Sequence, residues 1–208
     1  MSRSWSVREL LAAEFRSYRT LPRWVLRRPE VPVGSVPFRY VGAVLPVLWT
    51  FIVVSAVELV AVHVITPWPA IRLVLDVVGV WGLLWMLGFT AALTVKPHLL
   101  DEYGLRLRQG VTIDLHVPWE AVASVSSRRR SRERSRAVQL DRTETGVVLN
   151  VVVGSQTTVD LVLREPLVLE LPSGAEQVVA VRLAADDPGG FTARARALLS
   201  AYRSEDPR

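Results

Sequence analysis

The sequence contains no cysteine, and only one of its 25 basic residues is a lysine. The absence of cysteine excludes disulfide bonds, thiolate metal sites, iron–sulfur clusters and cysteine nucleophiles, and it leaves the redox compartment undetermined. Histidine is also scarce, because His63, His98 and His116 are the only imidazoles. Arginine therefore dominates the positive charge, and the formal net charge of +5 favours anionic partners without identifying one.

Sequence motifs for common catalytic chemistries are absent as well. The chain has no GxxxxGKS or GxxxxGKT phosphate loop, no GxGxxG, no GxSxG nucleophile elbow and no HExxH zinc motif. His98 lies close to Asp101 and Glu102, and His116 lies four residues from Glu120, but neither group is a complete set of metal ligands. We therefore predict that the protein is not an enzyme and that it holds no metal or cofactor.

Long apolar segments, by contrast, are prominent. Half of the residues are hydrophobic, 22% are charged and the mean hydropathy is +0.28, which is too apolar for an ordinary soluble domain. Residues 41–65 and 71–95 are apolar runs longer than the roughly 20 residues with which a helix crosses the hydrocarbon core. Both are predicted to span a membrane; the alternative is a pair of buried helices in a soluble protein.

The link between the two predicted helices is residues 66–70, TPWPA, whose two prolines interrupt helical structure. So short a link requires an antiparallel hairpin, which we assign to residues 38–97. Residues 1–40 carry eight arginines and three glutamates, and the link carries no charge. The positive-inside rule therefore predicts a multi-pass plasma (inner) membrane protein with both termini in the cytoplasm. His98, directly after the second helix, is expected at the membrane interface.

Four ionisable residues lie within the two predicted membrane helices of the hairpin: Glu58, His63, Arg72 and Asp76. Ionisable groups at membrane depth are costly and are usually paired or functional. A Glu58–Arg72 pair and a proton-sharing group of Glu58, His63 and Asp76 are two alternatives, and the spacing of Arg72 and Asp76 also allows a local ion pair. We interpret these residues as polar contacts that hold the helices or a partner subunit together; proton or ion conduction is the alternative.

The amino-terminal segment, residues 1–37, has an amphipathic pattern. Apolar residues recur at steps of three and four from Val7 to Val25, and arginines fill much of the remainder. We predict an amphipathic helix in the inner leaflet, with its basic face towards anionic lipid and Trp24 at headgroup depth. The alternative is a helix packed against the protein's own cytoplasmic domain.

Residues 98–208 form the third predicted unit, a cytoplasmic domain of short alternating strands separated by turns. A single helix follows the strands, with Asp187 as its cap and Pro188 at its first position. Asp186 and Asp187 are therefore interpreted as a helix start rather than as paired catalytic acids. The strands are predicted at residues 105–109, 111–117, 121–127, 137–141, 147–153, 157–163, 167–171 and 177–183.

Four stretches carry a family resemblance: GLRLRQG, IDLHVPWEAVASV, REPLVLELPSG and, before the last helix, VRLAADDPGGF. They resemble the bacterial pleckstrin-homology-like domains that follow two-helix membrane hairpins, particularly in actinobacterial membrane proteins. The resemblance covers residues 38–203 and implies a small antiparallel β-sandwich or barrel closed by the final helix, with no assigned chemistry. With the other patterns, it gives a membrane α+β fold: an N-terminal amphipathic helix, a two-helix transmembrane hairpin and this capped domain.

Inside the domain lies a segment that we term the arginine run, residues 128–136, which attracts phosphates of any kind. Because the hairpin would hold it near the inner leaflet, we expect it to contact anionic lipid headgroups. Each basic residue is expected to contribute about 1 kcal/mol of binding free energy, and salt weakens this attraction. A solvated loop and a docking site for an acidic protein are the alternatives; without a nucleic-acid-binding signature, nucleic acid is not the expected partner. The run consists of Arg128, Arg129, Arg130, Arg132, Arg134 and Arg136, separated by Ser131, Glu133 and Ser135.

These patterns together predict a non-enzymatic membrane protein whose cytoplasmic domain is a docking or scaffolding module for a protein or for anionic lipid. Homo-oligomers could form through polar groups of the hairpin. The alternative function is an accessory or pore-forming subunit of a transport system, in which the four ionisable residues of the hairpin carry the activity.

Overall fold

The computed structural model of the chain describes residues 20–132 and 136–205. Most of the predicted amphipathic segment, residues 1–19, and Arg134 of the arginine run lie outside the described residues. The first described element is a short helix, α1, at Leu21–Val25, with a proline in its first turn. It packs against the second long helix of the chain.

Two long helices form the predicted antiparallel hairpin, α2 at Leu45–Ile65 and α3 at Pro69–Val95. Each is long and apolar enough to cross a membrane. In α2 only Ile52 is buried, and the buried residues of α3 lie in its last two turns. The helices approach closely at Gly79, where a Cβ atom would lie 2.6 Å from Cδ1 of Leu59. The hairpin therefore exposes an extensive apolar surface, which is unusual for a soluble protein.

The first sheet joins the chain before the hairpin to the chain after it. Its four antiparallel strands are β1 at Val36–Phe38, β2 at His98–Leu100, β3 at Gly104–Gln109 and β4 at Ile113–Pro118, in the order β1-β2-β3-β4. The β3–β4 hairpin is confirmed, whereas β1 and β2 were not predicted. Since β1 pairs with β2, the helical hairpin is inserted between two neighbouring strands of one sheet.

The second sheet has five strands and follows a 3₁₀ turn at Trp119–Ala121. Its strand order is β5-β8-β9-β7-β6. The two predicted strands at 157–163 and 167–171 form one long strand, with a register shift between Val162 and Leu167 that accommodates Pro166 outside the ladder. The bounds are β5 at Val122–Ser131, β6 at Val138–Thr143, β7 at Gly146–Val151, β8 at Gln156–Leu171 and β9 at Gly174–Leu183.

One strand pair departs from the expected antiparallel arrangement. β7 and β9 pair in parallel, from Val147 against Val178 to Val151 against Leu183. The path of the chain explains this pairing. β8 runs opposite to β7 and β9 runs opposite to β8, so β9 has the same direction as β7, and it lies between β7 and β8 in the sheet. The prediction of a wholly antiparallel domain was therefore wrong for this pair.

Both sheets and the last helix, α4 at Pro188–Glu205, contribute side chains to one core. Leu107 of the first sheet, Leu161 of the second and Phe191 of α4 are all fully buried. Within the described residues no strand of one sheet pairs with the other, so the sheets do not close into a barrel. The predicted start of α4 is confirmed, since Gly190 N–H donates to Oδ1 of Asp187 at 2.9 Å.

A cluster at the foot of the hairpin, the end where α2 begins and α3 ends, attaches the hairpin to the β domain. Tyr40 and His98 are 2% and 1% exposed, and their rings stack with centroids 4.5 Å apart. The hydroxyl of Tyr40 accepts a hydrogen bond from Gly110 N–H at 2.9 Å. His98 was expected at a membrane interface; it lies instead in the protein interior.

The His98 ring is held as a neutral imidazole. Its Nε2–H donates to the carbonyl of Ala184 at 3.0 Å, while Nδ1 accepts from the backbone N–H of Arg108 at 3.2 Å. Burial lowers the pKa of His98 to about 4, because the interior disfavours the charged form. A second contact between the domain and the hairpin comes from Asp186, whose carboxylate accepts a hydrogen bond from Gly42 N–H at 2.9 Å. We call Tyr40, Gly42, His98, Gly110 and Asp186 the junction.

Acidification should destabilise the protein through His98. The unfolded chain takes up a proton near pH 6.5 and the folded chain only near pH 4, so stability falls as pH decreases across that interval. The expected loss is about 3 kcal/mol. Denaturant titrations of the full chain in detergent at pH 7 and pH 4 measure it.

His98→Gln is the matched control for this acid effect. It keeps a side-chain donor for the Ala184 carbonyl but cannot titrate. It should lose stability at pH 7 and show a smaller further loss at pH 4 than the wild type, since the carboxylates of both proteins titrate alike. An equal further loss in the two proteins would contradict the role assigned to His98.

Candidate functional site

The structure divides the arginine run into bound and unbound side chains. Arg128, Arg129 and Arg130 lie at the carboxyl end of β5, and Arg132 directly follows the strand. Arg130 Nη2 lies 2.9 Å from Oδ2 of Asp160, and Arg132 Nη1 lies 2.6 Å from Oδ2 of Asp141. Two arginines of the run are therefore held by carboxylates and are not part of a solvated loop.

These two arginines belong to a network on the face of the five-stranded sheet opposite the core. Asp160, Arg182 and Asn150 lie opposite one another on the adjacent strands β8, β9 and β7. Arg182 lies 3.7 Å from Asp160 and 3.8 Å from Asp141, and Arg132 donates to Oδ1 of Asn150. Burial lowers the pKa of the Arg182 guanidinium, and the nearby charge of Arg130 acts in the same direction. Sequence reasoning missed this network, although alternation along β8 and β9 places Asp160 and Arg182 on one face.

Three arginines of the run remain exposed: Arg128, Arg129 and Arg136. Their guanidinium groups have no hydrogen-bond or ion-pair partner in the described part of the chain. The register of β5 against β8 shifts between Ser127 and Arg130, which places Arg128 and Arg129 in an irregularity of the ladder. A bulge of this kind turns side chains away from the regular alternation. Among the described residues of the run, these three side chains are the ones that can meet a ligand.

The run lies at the end of the sheet that is closest to the hairpin. Arg132 N–H donates to the carbonyl of Ser155 at 2.8 Å, in the turn between β7 and β8. In the same turn, a Cβ atom at Gly154 would lie 3.2 Å from Cγ1 of Val44 and 3.5 Å from Cβ of Ala43. These two residues directly precede α2. The arginine-bearing end of β5 and the foot of the hairpin are thus neighbours.

The ionisable residues of the hairpin are only partly brought together. His63 Nδ1 lies 2.8 Å from Oδ2 of Asp76, close to the link between the helices. Within the described chain, neither Glu58 nor Arg72 has a side-chain partner, so neither the Glu58–Arg72 pair nor the Arg72–Asp76 pair is formed. Glu58 is exposed on the outer surface of α2. Oδ1 of Asp76 is buried without a hydrogen bond.

The residues considered as metal ligands have other positions and contacts. Oδ1 of Asp101 accepts the backbone N–H groups of Tyr103 and Gly104 at 3.0 and 3.1 Å, which shapes the turn before β3. His116 and Glu120 are both exposed, and His98 belongs to the junction. Across residues 20–132 and 136–205 no group of three or more His, Cys, Asp or Glu side chains could hold a metal ion.

Comparison with protein families, with curated proteins and with solved structures found no match to this chain.

Arg130 and Arg129 should differ in their importance for stability although they are adjacent and identical. Arg130→Gln leaves the nearly buried carboxylate of Asp160 without its closest cation and should cost about 1–3 kcal/mol. Arg129→Gln removes an exposed charge and should change stability by less than about 0.5 kcal/mol. Denaturant midpoints of the two variants test this directly. Equal midpoints would show that the network contributes nothing measurable.

Proposed function

We propose that the chain is an integral plasma-membrane protein whose helical hairpin spans the bilayer. The exposed apolar surface of α2 and α3 supports this, because lipid would cover side chains that water would otherwise have to solvate. Arginines before the hairpin and after it, with none in the link, support a cytoplasmic position for both termini. The foot of the hairpin then lies at the inner leaflet.

We further propose that the β domain is of the pleckstrin-homology-like class. Its support is an architecture of two sheets around one core with a final helix packed against them. The parallel pairing of β7 with β9 and the five-stranded second sheet are departures from a simple antiparallel sandwich.

The function that this geometry supports best is a non-enzymatic docking or scaffolding module at the inner leaflet. A single observation carries it: the exposed arginines lie at the end of the sheet that contacts the foot of the hairpin. Arg128, Arg129 and Arg136 can there contact anionic headgroups, at about 1 kcal/mol each and less in salt. An acidic protein bound at the leaflet would use the same surface.

A fluorescence experiment tests this placement. The chain has no native cysteine, so Ser131→Cys labels the arginine end of the sheet, and Glu144→Cys labels the opposite end, in the β6–β7 turn. In nanodiscs with quencher-bearing lipid headgroups, the label at position 131 should be quenched more than the label at 144. Quenching at 131 should increase with anionic lipid and decrease with salt.

The charge dependence is checked in the Ser131→Cys background with Arg128, Arg129 and Arg136 changed to Gln. This variant should lose the response to anionic lipid and to salt. Equal quenching at positions 131 and 144 would contradict the placement of the domain. Strong quenching at 131 that ignores lipid charge and the arginines would instead assign the surface to a protein partner.

Glu58 supports the proposal of a protein partner for the hairpin within the membrane. A carboxylate on the outer surface of a spanning helix is costly in lipid unless another helix contacts it. A second copy of the chain would satisfy this requirement, which supports a homo-oligomer. Another membrane subunit would satisfy it as well.

The contact between His63 and Asp76 favours a second candidate function, an accessory or pore-forming subunit of a transport system. A histidine and a carboxylate 2.8 Å apart can share a proton, and Asp76 retains a buried oxygen without a hydrogen bond. Under this hypothesis, proteoliposomes containing the wild type should conduct protons, and Asp76→Asn should abolish the flux. Absence of flux in the wild type would remove the support for transport by this chain alone.

A further inference from the structure

A cavity of about 750 Å³ lies at the foot of the hairpin, beside the junction. Its walls come from α1 and the residues that follow it, from the segment around β1, from the first turns of α2 and from the last turn of α3. Glu30 holds the segment after α1 in place: its N–H donates to the carbonyl of Val95 at 2.9 Å, and its own carbonyl accepts from Nη1 of Arg108 at 2.8 Å. The side chain of Arg108 is 3% exposed, so this attachment is an interior contact.

The polar part of the lining is cationic. Four arginines contribute to it, Arg23, Arg27, Arg28 and Arg39, and no carboxylate does. Arg23 is paired with Glu30 at 3.2 Å. In the described part of the chain, the other three guanidinium groups have no hydrogen-bond or ion-pair partner. Like charges that face one cavity without a counter-charge favour a bound anion.

The remainder of the lining is apolar and continues onto the surface of the hairpin. Trp24 of α1 stacks on Trp49 of α2 with ring centroids 6.0 Å apart. Trp49 is both a wall of the cavity and 42% exposed, and Val53, one turn further along the same face of α2, is exposed as well. A ligand whose anionic group lies among the arginines could therefore extend an apolar portion along α2.

We propose that this cavity binds one anionic phospholipid of the inner leaflet, with its phosphate among Arg27, Arg28 and Arg39 and an acyl chain against Trp49. The proposal rests on the membrane insertion put forward above, but it uses other arginines than the docking surface. A free phosphate or nucleotide would satisfy the arginines but would leave the apolar wall uncovered. Basic recesses beside membrane helices on the cytoplasmic side are a recognised kind of headgroup site.

The test is native mass spectrometry of the full chain released from nanodiscs that contain phosphatidylglycerol, cardiolipin and phosphatidylcholine. The wild type should retain one phosphatidylglycerol or cardiolipin molecule in preference to phosphatidylcholine. Arg27→Asn combined with Arg28→Gln and Arg39→Gln should weaken this binding roughly 100-fold, since each arginine contributes about a factor of five. Asparagine is chosen at position 27 because the backbone there has a φ of 52°, a conformation that it tolerates well.

The matched control removes the same number of charges from the arginine run, with Arg128, Arg129 and Arg136 changed to Gln. It should retain the bound lipid. Equal loss from both variants would overturn the proposal and reduce the effect to general surface charge. No preference for anionic lipid in the wild type would overturn it too, whatever the quenching experiment shows about the docking surface.

Two further measurements separate the phospholipid from a free anion and from misfolding. Inorganic phosphate should not displace the bound lipid, and Trp49→Ala should weaken lipid binding with the arginines intact; displacement by phosphate would assign the cavity to a free anion. Because the three arginines are exposed, the thermal unfolding of the triple variant should match that of the wild type. If it does not, Arg39→Gln alone provides the comparison, and unchanged binding in that variant would count against the site.

Discussion

The stack of Tyr40 on His98 determines where the β domain lies relative to the helical hairpin. Tyr40 belongs to the chain that enters the hairpin, and His98 to the chain that leaves it. Both also bond to the domain, Tyr40 to the turn at Gly110 and His98 to the carbonyl of Ala184. Since β1 pairs with β2 just beside this stack, both ends of the hairpin continue from paired strands at the edge of a folded sheet, and the hairpin is not attached by a free linker.

The arginines of the protein have two different roles. Arg108, Arg130, Arg132 and Arg182 face carboxylates or carbonyls and hold strands and segments together. A second group has no such partner in the described chain and lies around the foot of the hairpin. It consists of Arg27, Arg28 and Arg39 at the cavity and Arg128, Arg129 and Arg136 on the sheet. These six arginines thus lie where the proposed membrane surface would be.

The sequence predicted the parts of this structure that depend on local pattern. Hydropathy and two prolines predicted the hairpin, alternation predicted most strands, and Asp187 with Pro188 predicted the start of α4. The parts it did not predict depend on contacts distant in the chain. β1 has only three residues, too few for a recognisable strand pattern, and it is a strand because it pairs with His98–Leu100. The parallel pairing of β7 with β9 depends on the path of the chain and not on composition. The burial of His98 has the same origin.

For the candidate site, the sequence identified the arginine run but could not divide it. Arg129 and Arg130 are identical neighbours, and only the position of Asp160 on another strand distinguishes them. Sequence patterns could not predict the cavity, because its arginines come from segments on both sides of β1 and its tryptophans come from two helices.

Residue-resolved hydrogen exchange of the full chain in lipid nanodiscs tests the junction most directly. The amides of Gly42 and Gly110 donate to the Asp186 carboxylate and the Tyr40 hydroxyl, so both should be protected from exchange, that of Gly110 more strongly because its hydrogen bond is buried. Fast exchange at both glycines, with Leu161 still protected, would mean that the domain is only loosely tethered to the hairpin. The fixed placement of both arginine groups at the leaflet would then be wrong.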